Sequence, residues 1–103
     1  MHVQVNTDGR IRGGESLARE VEVMMREAFA RFADRITRLE VHLSDVNALK
    51  SGEDKRCVLE ARLAGLDPVA ASDQAETMRQ AIDGATRKLE RALDSTLGRL
   101  GQR

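Results

Sequence analysis

The chain has 103 residues, with one proline, one cysteine and two aromatic residues, and its 17 Lys and Arg are matched by 17 Asp and Glu. That length without a low-complexity run argues for one compact domain over residues 1–103, with a modest core built mainly from aliphatic side chains. A neutral balance predicts no polyanionic partner from global charge, so any anion must be held by a local patch. No apolar run approaches the roughly 18–20 residues of a membrane helix, and no signal-peptide pattern precedes the first strand. The expectation is a soluble, cytoplasmic protein with no membrane partner. The lone Cys57 excludes an internal disulfide and fits a reducing compartment.

Residues 2 to 6 alternate, with Val3 and Val5 opposed to His2 and Gln4, which predicts a half-buried strand, and Asp8-Gly9 predicts a turn after it. From Glu15 to about Ala33, Leu17, Val21, Met24, Met25, Ala28 and Phe32 recur at spacings of three and four. This predicts an amphipathic helix started by Gly13-Gly14. Thr37, Leu39, Val41 and Leu43 alternate with Arg38, Glu40, His42 and Ser44, and Cys57, Leu59, Ala61 and Leu63 with Arg56, Val58, Glu60 and Arg62, giving two strands with one apolar face each. Asp45 to Asp54 reads as a long hairpin loop. Gly65-Leu66-Asp67-Pro68 is a tighter turn into a short strand at residues 69–72.

Asp73, three residues before Glu76, resembles a capping box opening a second helix. The expected buried stripe of that helix is Met78, Ile82, Ala85, Leu89, Leu93 and Leu100, with Gly98 and Gly101 ending it. The order β-α-β-β-β-α has a direct solution. It is an α+β two-layer sandwich, a four-stranded sheet with two helices on its apolar face, as in double-stranded-RNA-binding-like folds.

The clearest candidate site is on the second helix. Gly84, Lys88, Arg91, Ser95 and Arg99 follow one stripe, and Asp83, Glu90 and Asp94 follow its neighbour. Such charges ordinarily form a solvated face with i,i+3 and i,i+4 pairs, here Arg87 with Glu90 or Asp83. Phosphate binding is the other use such a stripe can have. Arg19, Arg26 and Arg31 on the first helix, with Arg35 at its end, form a second basic set, diluted by Glu15, Glu20, Glu22 and Glu27. Without exposed aromatics for base stacking, any RNA binding would be led by shape and phosphate contacts.

Cys57 shares the inward parity of its strand and reads as a small core residue. His2 and His42 lie on the polar sheet face without further ligands, so no metal site is expected. Glu40 and Glu60, on the same face, could oppose each other, but a flat sheet offers no pocket for paired-carboxylate chemistry. Gly9-Arg10-Ile11-Arg12-Gly13-Gly14 lacks the lysine and hydroxyl of a phosphate loop. No catalytic constellation, cofactor or small-molecule substrate is expected.

Three stretches are read together: Asp34-Arg35-Ile36-Thr37-Arg38-Leu39-Glu40-Val41-His42-Leu43, Asp54-Lys55-Arg56-Cys57, and Ala81-Ile82-Asp83 running into Lys88-Leu89-Glu90-Arg91. They resemble the ribosome hibernation-promoting and ribosome-associated inhibitor family, also called sigma-54 modulation proteins. The resemblance implies a non-enzymatic protein that binds the small ribosomal subunit and its rRNA in the channel used by mRNA and tRNA. It would block translation in stress or stationary phase and be a monomer off the ribosome. Carried onto this chain, Lys88 and Arg91 would contact rRNA phosphates, flanked by Arg87, Arg79, Arg26 and Arg31. Ending at Arg103, the chain resembles a short form of the family, and Asp94-Ser95-Thr96-Leu97-Gly98-Arg99 stands where a lysine-rich helix end is usual. The alternative class is a diverged protein-protein interaction module using the polar sheet face or an edge strand.

Overall fold

A computed structural model describes residues 1–9, 11, 13–46 and 54–101, with side chains described as far as Arg99. Strand β1 (His2–Thr7) leads to helix α1 (Gly14–Ala28) and a single 3-10 turn (Ala30–Phe32). Strands β2 (Ile36–Asp45), β3 (Lys55–Leu63) and β4 (Val69–Ala75) precede helix α2 (Met78–Gly101). The sheet order is β1-β2-β3-β4, with β1 parallel to β2 and the other neighbours antiparallel. A parallel pair needs a long crossover, which α1 supplies, whereas β2 to β4 form the expected meander. Residues 47–53 of the expected long hairpin loop lie outside the described residues.

Strand parity sets the core. Leu39, Val41 and Leu43 on β2 and Cys57, Leu59, Ala61 and Leu63 on β3 are all buried. Val21 and Met25 of α1 and Ala81, Ile82, Ala85, Leu89 and Leu93 of α2 join them in one cluster. Leu17, expected in the core, is only half-buried against its edge, as is Met78. Among the described residues no polar or charged side chain is buried. No helix among them is long and apolar enough to cross a membrane.

Three boundaries differ from the sequence reading. The first helix stops at Ala28 rather than Ala33, because Phe29 leaves helical geometry at φ −108° and the chain tightens into the 3-10 turn. Both Phe29 and Phe32 are buried at this change of path, with ring centroids 6.4 Å apart. Gly13 does begin α1, at φ +66°, a left-handed value that glycine adopts without steric cost.

The fourth strand continues to Ala75, so Asp73 is a strand residue opposite Cys57 and not a helix cap. The cap is Thr77, whose Oγ1 accepts a hydrogen bond from the Gln80 amide at 3.1 Å. Finally, α2 runs through Gly98 to Gly101, so Gly98 does not end it. The side chain of Leu100 lies outside the described set.

Candidate nucleic-acid interface

Along α2, Arg87, Arg91 and Asp94 fall at i, i+4 and i+7, one face of the helix, with Glu90 between them. The 3-10 turn after α1 places Arg31 opposite that face. Together Arg31, Arg87, Glu90, Arg91 and Asp94 line an open groove of about 330 Å³. Three guanidinium groups thus meet two carboxylates in one concavity.

Arg31 donates to both Asp94 oxygens, Nη1 to Oδ1 at 2.6 Å and Nη2 to Oδ2 at 3.0 Å. Its guanidinium carbon also lies 4.0 Å from the Phe32 ring centroid. That contact combines cation–π attraction with positional restraint on a planar group. The Arg31 hydrogen bond, more than the bare charge, holds the Asp94 carboxyl below the usual aspartate range, while Asp94 raises Arg31 in turn.

Lys88 belongs elsewhere. Its Nζ donates to Asp73 Oδ1 at 3.1 Å and to the Ser72 carbonyl at 3.3 Å, so it reaches over β4. Asp73 is correspondingly held below the ordinary aspartate range, first by this hydrogen bond. The close approach is permitted by the buried Gly84, where any Cβ would overlap the Asp73 carboxylate. The stripe of Gly84, Lys88 and Arg91 read from the sequence is therefore two neighbourhoods, one against β4 and one at the groove.

The remaining candidate cations are dispersed. Arg26 donates to Glu22 Oε1 and to the Met1 carbonyl, both at 3.0 Å, beside β1. Arg79 pairs with Asp83 at 3.8 Å in the first turns of α2, about 12 Å along the helix from Arg87. Asp83 thus pairs with Arg79 and not with Arg87 as helix spacing also allowed. Sequence reasoning missed Asp94 and Glu90 as members of the site, and it missed that Arg31 joins Arg87 and Arg91. The only sequence signal for the latter was Phe32, a core residue that fixes where the turn must sit.

The opposite sheet face is a ladder of paired charges. Glu40 stands directly across from Glu60, as the parity allowed, but Arg62 bridges them at 3.7 and 3.4 Å and Arg38 adds 3.4 Å to Glu40. Arg38 also hydrogen-bonds Gln4. His2 aligns with Arg38 while His42 aligns with Asn6, so the two imidazoles are four residues apart along the strands, roughly 13 Å. Among the described residues no three ligand-type side chains cluster to hold a metal. Cys57 is fully buried, and desolvation, with the Asp73 charge second, pushes its thiol up to about 12.

The whole of this architecture from Gln4 to Leu100 matches the Sigma 54 modulation protein / S30EA ribosomal protein family. The chain belongs to that family. Its fold is that of a ribosomal subunit interface protein from Coxiella burnetii, at TM-score 0.71 and 20% identity, over 95% of this chain and 99% of the other. It is also that of the N-terminal domain of Protein Y from Thermus thermophilus, at TM-score 0.72 and 18% identity, over 93% and 99%. No curated protein matches the chain at a significant level.

Proposed function

We propose that this protein is a ribosome-associated translation inhibitor that binds the small ribosomal subunit through its rRNA in the mRNA and tRNA channel. It would silence ribosomes in the cytoplasm under stress or in stationary phase, without catalysis. Residues 1–103 would act as one binding domain, a monomer off the ribosome. Family membership and the subunit-interface description of a structural neighbour support the partner.

The observation that carries the reading is the convergence of Arg31, Arg87 and Arg91 on one groove of a chain that is neutral overall. Phosphate recognition wants cations spaced along a backbone, and arginine presents fixed forks of donors to it. Arg87 and Arg91 are the primary phosphate contacts in this reading, with Arg31 beside them. Lys88, held over β4, contacts phosphate from the neighbouring surface, and Arg79 and Arg26 flank the ends.

Sedimentation of lysate through a sucrose gradient tests the partner. The protein should travel with small subunits and be stripped as salt rises. Migration at the top of the gradient at low salt, with purified subunits in excess, would overturn the reading. RNA-independent capture of a protein through the sheet face would then favour an interaction module.

A further inference from the structure

The groove between the 3-10 turn and α2 gathers three arginines, yet one of them already holds an anion supplied by the chain itself. Asp94 takes Arg31 through both carboxylate oxygens, at 2.6 and 3.0 Å, the forked geometry with which arginine also takes a phosphate. Phe32 beneath the guanidinium keeps Arg31 aimed at that place. Arg87 and Arg91 line the same concavity one helical turn apart.

We infer that Asp94 determines the affinity of this groove for anions: its carboxylate occupies on Arg31 the place of an RNA phosphate, and RNA enters by displacing it. The inference rests on the proposed ribosome binding only for which RNA enters. A phosphate arriving at Arg87 and Arg91 meets the Asp94 charge as a repulsion and finds Arg31 engaged. When the carboxylate is neutralised without change of shape, the repulsion disappears and the charged fork on Arg31 is reduced to one neutral acceptor. Glu90 lines the groove too, but it acts on Arg31 through space rather than by a hydrogen bond, so its neutralisation does less.

The test compares the parent chain with Asp94→Asn, Glu90→Gln, Arg31→Gln and the Arg31→Gln/Asp94→Asn double variant. Inorganic pyrophosphate is titrated by NMR at the Arg31 Nε–H signal and the α2 amides, a labelled RNA hairpin by anisotropy, and purified small subunits by sedimentation. Asp94→Asn should tighten pyrophosphate and hairpin binding about three- to tenfold. Glu90→Gln should gain less, and the Asp94→Asn gain should shrink in the double variant, where only relief of the repulsion at Arg87 and Arg91 remains. Asp94→Ser, at the same exposed position, carries the same expectation should the asparagine disturb folding.

Equal or weaker binding by Asp94→Asn, or a gain undiminished by loss of Arg31, overturns the inference. The two readings fail separately. A parent that does not sediment with subunits, beside an Asp94→Asn gain for pyrophosphate, removes the ribosome and keeps the competitor. A parent that sediments, beside no gain, does the reverse.

Discussion

The two outer surfaces of this molecule use the same residue types to opposite ends. On the sheet, Arg38, Glu40, Glu60 and Arg62 stand in register and neutralise one another within 3.4 to 3.7 Å. At the groove, three arginines face two acids, and the single close pair there leaves Arg87 and Arg91 directed into the concavity. Composition cannot distinguish these faces, since a chain with 17 charges of each sign is neutral however they are sorted. Arrangement decides which face attracts an anion, because screened charges act over about 8 to 10 Å and no further.

The largest effect expected is on the support that both faces share. Leu89 is fully buried between α2 and the sheet, so Leu89→Ala should lower unfolding free energy by about 2–4 kcal/mol through the cavity it leaves. Chemical denaturation reads this directly, and an unchanged midpoint would break the assignment of that helix face to the core.

Next in size is the contrast between faces. Reversing charge at the groove with Arg87→Glu and Arg91→Glu should weaken binding to small subunits by more than tenfold, since two attractions become repulsions. Arg62→Glu on the sheet should change it by about twofold or less, because that residue's charge is already spent locally. Equal losses from the two surfaces, measured by co-sedimentation, would erase the distinction.

A smaller effect sharpens the boundary within α2. Lys88 is engaged with Asp73 and Ser72, so Lys88→Gln should weaken subunit binding about threefold or less, and less than Arg91→Gln does. If Lys88→Gln proves the more damaging, the phosphate path runs over β4 instead of through the groove.

The smallest effect is on acid stability. Asp73 and Asp94 have folded-state values lowered by Lys88 and Arg31 respectively, with Arg87 also acting on Asp73. A depressed carboxyl contributes stability in full above its unfolded value, near 3.9 for aspartate, and loses it as pH falls through the lower folded value. Thermal melts from pH 5 down to pH 2 should therefore show less acid destabilisation in a Asp73→Asn/Asp94→Asn variant than in the parent. A parallel decline in both would mean that the pairs add nothing.

Much of the fold was legible because strands and helices announce their inward faces by period. Cys57, Leu59, Ala61 and Leu63 alternate, Ile82, Ala85, Leu89 and Leu93 step by three and four, and all are buried. The errors came where a residue satisfied two local rules at once. Asp73 has the spacing of a helix cap, yet strand pairing to β3 and a cation fifteen residues on hold it in β4. Phe32 has the spacing of the first helix, yet Phe29 leaves helical geometry and Phe32 lies in the 3-10 turn that follows.

The site divides the same way. Arg87 and Arg91 lie one helical turn apart and could be read from their spacing. Arg31 and Asp94 are separated by 63 residues, and no local pattern couples them. Only the packing of the turn against α2 brings them together.

The burial of Cys57 reaches beyond the core it fills. With its thiol pushed up to about 12, the thiolate is scarce at neutral pH, and disulfide exchange and peroxide attack both proceed through that anion. Native copies of this chain should therefore neither cross-link through their lone sulfur nor be modified at it during an oxidative burst. Its chemistry stays silent for as long as the sheet and α2 remain closed over it.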